Sequence, residues 1–274
     1  MTSDDALGYT DLHNHLVPGV DDGARTVEDA LEGIGRLWEV GIRTVVTTPH
    51  LDGSITQIPS VLERRLEEVE EGWARLKEAA DRAYPELNLY RGHEVMLDVP
   101  DPVLTDPRVR LAESSAVLVE WPRLRVPPAT KPVLSRLRET GVTVILAHPE
   151  RYHGLTRESL LPGEWRKMGA LLQVNLGSLV GAYGDAPRKR AMTLLERGWV
   201  DLMATDFHGR PHLPVYLDQA QEAFEVFGGG VQFDFLVRQN PARIVRGEEP
   251  LGVPPLPIRK GLWKKVRELL NRNE

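Results

Sequence analysis

Asp11-Leu12-His13-Asn14-His15, followed by Pro18-Gly19-Val20-Asp21-Asp22-Gly23, sets two imidazoles and then a carboxylate at the end of a short apolar run. Tyr9 to His13 reads as a first strand, and a grouping of this kind suits a metal better than a core. A single His-x-His pair is weak evidence on its own. The weight comes from later runs that end in the same residue types. Thr44-Val45-Val46-Thr47-Thr48 is a β-branched run leading to Pro49-His50. Leu87 to Arg91 delivers Gly92-His93-Glu94, and Ala116 to Val119 ends at Glu120. Val142 to Ala147 ends at His148, and Val200 to Thr205 leads to Asp206-Phe207-His208. Ala170 to Val174, ending in Asn175-Leu176-Gly177-Ser178, is the strand tip without an evident ligand.

Helical segments separate most of these strands. Thr26 to Val40 begins with an N-cap and Asp29 in capping-box position, and carries an apolar face through Val27, Ala30, Leu31, Ile34, Leu37 and Trp38. Further helices are expected near Ile58 to Ala83, Lys131 to Glu139, Arg157 to Met168, Pro187 to Arg197 and Val215 to Phe227. Alternation of near-continuous apolar strands with helices implies a parallel sheet covered by helices. About seven such units predict an α/β fold of the distorted (β/α)7 TIM-like barrel type. A single domain spanning residues 1–274 is expected, with its core over about 9–243 and a tail and helix over about 244–274. That final helix, Ile258 to Asn273, has a basic wet side and is expected to pack over the end of the barrel.

Composition narrows the function. The chain has 274 residues, of which 41% are hydrophobic and 27% charged, as in ordinary globular proteins. A net charge of −6 argues against general affinity for nucleic acid. The absence of cysteine removes disulfides, zinc-thiolate sites and any cysteine nucleophile. The acidic amino terminus leads into no signal-like apolar region, and no run reaches the ~18 apolar residues of a membrane span. A cytoplasmic protein is expected. No GxGxxG follows the first strand and no GxxxxGK[ST] occurs, so dinucleotide and P-loop functions lose their main support.

In a barrel, strand carboxyl ends bring side chains from distant parts of the sequence to one face. His13, His15, His50, Glu94, Glu120, His148, Asp206 and His208 all lie there, and Asp22 is close behind. These nine candidate ligands are too many for one ion and suit two or three that share carboxylates. Their nitrogen and oxygen donors favour manganese, iron or zinc. His93, His153 and His212 fall outside the pattern and are expected to be exposed or supporting. Three divalent ions would outweigh the four carboxylates, leaving positive charge to attract a phosphate dianion. Adjacent ions also lower the pKa of bound water toward neutrality and so supply a nucleophile. Arg151, three residues after His148, is placed to hold a phosphate oxygen through its guanidinium fork. Arg210, just beyond His208, is a second candidate.

Asp11-Leu12-His13-Asn14-His15, Pro18 to Gly23, Thr48-Pro49-His50, Gly92-His93-Glu94, His148-Pro149-Glu150-Arg151-Tyr152 and Thr205-Asp206-Phe207-His208 together resemble the PHP (polymerase and histidinol phosphatase) superfamily. More closely, they are similar to its bacterial tyrosine-protein phosphatases of capsule and exopolysaccharide loci, the CpsB/CapC-like family. The matching motifs run from residue 11 to about residue 243. The resemblance implies a PHP-type barrel with three metal ions, commonly manganese. One ion would sit with His13, His15, Glu94 and Asp206, a second with Glu94, Glu120 and His148, and a third with Asp22, His50 and His208. It further implies catalysis by Arg151, His50 and His208, substrate binding by Arg151 with Arg210 or Arg123, and a phosphotyrosine-bearing bacterial tyrosine kinase tail as substrate. His93 and Thr205 depart from the family's usual Gln and Ser without removing a ligand. The alternatives are another PHP phosphoesterase, acting on histidinol phosphate or a nucleotide, and a metal-binding scaffold without turnover. Homo-oligomerisation stays open.

Overall fold

The structure is a computed structural model that describes residues 8–210 and 213–258. Its strands are β1 (Tyr9–Asp11), β2 (Ile42–Thr47), β3 (His50–Asp52), β4 (Asn88–Arg91), β5 (Glu94–Met96), β6 (Ala116–Glu120), β7 (Thr143–Ala147), β8 (Leu171–Asn175) and β9 (Leu202–Ala204). They form one sheet of order β1-β2-β4 and another of order β3-β5-β6-β7-β8-β9, with every pairing parallel.

The two sheets continue one another. Pro49 has no N–H to give a ladder, so the path of β2 breaks at Thr48-Pro49 and resumes as β3. The path of β4 breaks beside it, at Gly92-His93, and resumes as β5. A side chain at Gly92 would lie 2.8 Å from Leu111 and 2.9 Å from the Arg110 carbonyl, so only glycine permits the close passage there. Gly92 N donates to the Thr47 carbonyl at 2.9 Å and Glu94 N to the Pro49 carbonyl at 3.1 Å, which holds both paths together across the break. His50 and Glu94 therefore begin short new strands, rather than terminating old ones as the sequence suggests.

The circuit returns from β9 to β1 only near the strand tips. Asp206 N donates to the His13 carbonyl and His15 N to the Phe207 carbonyl, both at 2.8 Å, around a parallel bridge between Asn14 and Phe207. Below these bonds the buried Asp11 carboxylate stands between the strands, accepting from Thr205 N and Thr205 Oγ1 at 2.8 Å each. Lower still, the helical segment Phe235–Gln239 packs against both β1 and β9, with Leu236 and Val237 buried.

Helices α1 (Val27–Glu39), α2 (Pro59–Ala83), α3 (Thr130–Glu139), α4 (Leu161–Lys167), α5 (Leu176–Val180), α6 (Asp185–Glu196), α7 (Leu217–Val226), α8 (Gly230–Asp234) and α9 (Asn240–Val245) complete the described residues. The capping box expected at Thr26 and Asp29 is present. Helix α4 starts later than expected because Pro162 occupies its first turn. Asn240–Val245, across the expected boundary between core and tail, is helical, again with proline in its first turn. The helix expected over Ile258 to Asn273 lies, beyond its first residue, outside the described residues, as does His212.

Both faces of the strands are buried, which explains their unbroken apolar character. Leu12, Val46, Leu118, Ile145 and Leu202, from five paths of the circuit, share one buried cluster. Neighbours one position away point to the helices: Val45 packs with Ile34, Leu37 and Leu76, and Val117, Val144 and Leu146 with Leu134, Leu137 and Trp165. Among the described residues, no helix is long and apolar enough to cross a membrane.

Candidate metal centre

All nine candidate ligands meet above the strand tips. His13 and His15, two residues apart on an extended segment, project to the same side, with Asn14 between them turned away onto Asp11 and the Val46 carbonyl. His13 Nε2 lies 3.2 Å from Glu94 Oε2 and 3.4 Å from Asp206 Oδ1, and His15 Nε2 lies 3.5 Å from each of these oxygens. His148 Nε2 is 3.0 Å from Glu94 Oε1 and 3.8 Å from Glu120 Oε2. His50 reaches Glu94 Oε2 at 3.2 Å and Glu120 Oε1 at 3.9 Å through Nδ1, and Asp22 Oδ1 at 3.5 Å through Nε2. His208 Nε2 meets the same Asp22 oxygen at 3.5 Å.

The loop that brings Asp22 over the cluster is folded tightly onto the first strand. A side chain at Gly23 would fall 2.0 Å from the His15 carbonyl, a position only glycine can take. Ala24 N donates to that same carbonyl at 2.9 Å. Backbone strain gathers at this end of the molecule as well. His148 (φ 34°) and Asp206 (φ 52°) are left-handed, and so are Tyr216, Arg123 and Leu124 in the surrounding loops.

Four groups of side chains could each converge on an ion: His15, Asp22, His50 and His208; His13, His15 and Glu94; His13, His148 and Asp206; and His50, Glu94 and Glu120. In each, the donor atoms lie within 4.8 Å of one another. The donors are close enough to allow more than one grouping, the one the resemblance implies among them. His148 can stand with His13 and Asp206 as well as beside Glu94 and Glu120, and His50 with Glu94 and Glu120 as well as with Asp22 and His208.

The cluster fits divalent cations on its own chemistry. His13 Nε2 and His15 Nε2 are buried and have no hydrogen-bond partner, although carboxylate oxygens lie close by. Their other ring nitrogens are held in place: His13 Nδ1 by Gln173 Oε1 at 2.9 Å, and His15 Nδ1 by Asp21 Oδ2 at 2.8 Å. This is how metal-ligating histidines are oriented, with one nitrogen fixed and the other aimed at the ion. Burial opposes charge on His13, yet Glu94 and Asp206 raise it to about 9. His15 is likewise raised well above its ordinary value against burial, through Asp206, Asp21 and Glu94. Against the same burial, the histidines hold Glu94 well below the usual carboxylate range, while burial and Glu94 push Glu120 up. The centre calls for positive charge, and a cation would supply it in place of protons.

Arg151 lies at the mouth. Its Nη1 donates to Asp206 Oδ2 at 2.5 Å, and its guanidinium carbon sits 4.3 Å over the Tyr183 ring. Asn175 Nδ2 donates to the same Asp206 oxygen at 2.7 Å, leaving Oδ1 to face the histidines. A cavity of about 290 Å³ opens here, lined by Arg151, Tyr183, Asp206, His208, Arg210 and Tyr216 among others. Arg210 donates to the Asp22 carbonyl at 2.8 Å. Arg123 is exposed, and no described contact joins it to the cluster. His93, expected at the surface or in support, is buried instead, with Nδ1 against the Arg108 carbonyl, and burial lowers it to about 4.

Sequence reasoning passed over Gln173, Asn175, Asp21 and Tyr183. Gln173 and Asn175 belong to the one strand expected to end without a ligand, and they orient His13 and Asp206 instead. Their alternation on β8 was the available signal. Asp21 adjoins Asp22, and nothing in the sequence tells the supporting carboxylate from the one facing the cluster. Tyr183 had no signal.

These features define a parallel α/β protein with a cluster of His, Asp and Glu side chains able to hold metal ions at its strand tips. A sequence profile of the family described as "Capsular polysaccharide synthesis, CpsB/CapC" matches residues 9–246, and the chain belongs to that family. Its relatives include the tyrosine-protein phosphatase YwqE of Bacillus subtilis (strain 168), 24% identical over 259 residues that cover 91% of this chain and 96% of the relative. The tyrosine-protein phosphatase CpsB of Streptococcus pneumoniae is 26% identical over 242 residues, 86% and 97% of the two chains. In three dimensions the chain superposes with a TM-score of 0.75 and 23% identity on a crystal structure from work on YwqE of B. subtilis and CpsB of S. pneumoniae, described there as unique metal-dependent tyrosine phosphatases. The match covers 92% of this chain and all of the other. An amidohydrolase from Mycoplasma synoviae shares the fold more distantly, with a TM-score of 0.52, 13% identity, and coverage of 97% and 95%.

Proposed function

We propose that this protein is a metal-dependent phosphomonoesterase that hydrolyses phosphotyrosine in proteins. The observation that carries this reading is the convergence of nine nitrogen and oxygen donors, two of them buried imidazole nitrogens without partners, beside a guanidinium at an open cavity. His13, His15, Asp22, His50, Glu94, Glu120, His148, Asp206 and His208 would hold two or three divalent ions, with manganese the first choice and iron or zinc compatible with the same donors. When bound, such ions acidify water and offset charge on phosphoryl oxygens.

The chain's own residues do the rest. Arg151 binds a non-bridging phosphate oxygen through the N–H groups that Asp206 does not take, and Asp206 and Tyr183 fix the plane of its fork. Arg210 extends the positive charge along the cavity wall. His50 and His208 face Asp22 at the more open edge, 39% and 21% exposed against 0% for His13 and His15, and complete the catalytic set. A tyrosinate leaving group, with a pKa of ~10, needs little help from a general acid, and none of the described groups has to be assigned that role. The relatives' name, tyrosine-protein phosphatase, supports a phosphotyrosine-bearing protein as the substrate; a bacterial tyrosine kinase as that protein and the cytoplasm as the place of action belong to the same proposal.

Metal analysis of the purified protein, together with turnover of a phosphotyrosyl peptide and of histidinol phosphate, tests the reading. Metal-dependent turnover that favours the peptide is expected. Full activity after exhaustive chelation, or preference for histidinol phosphate, would overturn it.

A further inference from the structure

The cavity beside the cluster has a wall that the metal chemistry does not use. Tyr183 and Tyr216 approach the same small residue from two elements. A side chain at Gly177 would lie 3.2 Å from Tyr183 Cε2 and 3.1 Å from Tyr216 Cδ2, so both rings pack closely over this buried glycine while lining the cavity. Tyr216 is held there by a left-handed backbone (φ 64°), a costly conformation for an aromatic residue. Tyr183 also covers one face of the Arg151 guanidinium. Leu213 and Pro214 add apolar surface, and Arg151, Arg210 and His208 line the same cavity. The cavity thus combines cationic and polar groups beside the cluster with two aromatic rings. At about 290 Å³ it is at the lower limit of small-ligand sites.

We propose that Tyr183 and Tyr216 form an aryl-binding slot over Gly177, which selects flat aromatic phosphomonoesters over alkyl ones. This rests on the reading of the cluster as a phosphoester site. An aromatic ring entering between or against the tyrosines gains stacking or edge contacts that an alkyl chain of similar reach does not. The guanidinium of Arg151, already stacked on Tyr183, then meets the phosphoryl oxygens while the ring lies against the same wall. Selectivity for tyrosine would therefore lie in these two side chains, of which Tyr183 also steadies Arg151, while no described contact joins Tyr216 to Arg151 or Arg210.

Binding of non-hydrolysable phosphonates tests the slot without relying on turnover. With manganese added to the full chain, phenylphosphonate should bind about tenfold more tightly than methylphosphonate by calorimetry. Tyr216→Leu should remove most of that preference while methylphosphonate affinity stays within about twofold; Tyr183→Leu, which also uncovers Arg151, should weaken phenylphosphonate several-fold more than methylphosphonate, and Tyr183→Phe should keep the preference. Equal affinity of the two phosphonates for the wild-type protein overturns the proposal. So does a parallel loss of both affinities in Tyr183→Leu, which would make the residue only a support for Arg151. Absence of phosphatase turnover in the same preparation would count against the proposed function but leave the binding comparison decisive for the slot.

Discussion

The two ends of the strand circuit treat buried polar groups in opposite ways. At the amino ends, the chain satisfies its own. Asp201, buried at the foot of β9, takes two bonds from Arg166, at 2.7 and 3.1 Å. Asn240 donates to the Asp201 and Leu251 carbonyls at 2.8 and 2.9 Å and accepts from Leu251 N at 2.7 Å. At the carboxyl ends, the buried Nε2 atoms of His13 and His15 point at carboxylate oxygens without bonding them. The first arrangement holds a fold together. The second is incomplete until something with positive charge enters.

This contrast can be broken by substitutions at either end. The largest effect is expected for Arg151→Ala, which removes the phosphate donor and should lower kcat/KM on an aryl phosphate by about 10²- to 10³-fold. Unchanged turnover would remove Arg151 from its role. Gln173→Leu frees His13 Nδ1 without touching any donor to the ions, and metal titration should show affinity weakened about 10- to 100-fold. At the opposite end, Asn240→Ala strands the Asp201 carbonyl and both Leu251 backbone groups. Denaturant unfolding should show a loss of about 1–3 kcal/mol with metal affinity unaltered. If metal binding fell in step, the two ends would not be independent. Arg123→Ala, on an exposed loop, should change stability by less than about 0.5 kcal/mol and leave turnover nearly unchanged. A loss approaching that of Arg151→Ala would place a second phosphate contact in this loop after all.

Most of the centre was legible because metal ligands are a small set of residue types, and parallel strands put them at recurring positions after apolar runs. His13, Glu94, Glu120, His148 and Asp206 could each be found that way. The supports were less visible. Gln173 and Asn175 act through amides, which also occur throughout ordinary strand ends, and Tyr183 enters from the short loop between α5 and α6, where sequence gives no cue to its direction. The barrel-like alternation was readable, while the breaks at Pro49 and Gly92 appeared as strand ends. Local sequence marks an interruption but does not say whether the neighbouring path is interrupted beside it.

The fastening of β1 to β9 by backbone bonds at residues 13–15 and 206–207, with a side chain and then a helical wedge below, gives the circuit the mechanics of a hoop with a clasp. The clasp is made of the same residues as the metal centre. Ions bound there would tighten the hoop, and amide exchange at His15 and Asp206 should slow far more on metal loading than exchange in β6 or β7. Opening of the hoop and release of its ions then become one event, so the protein's weakest seam is also the gauge of whether it is loaded.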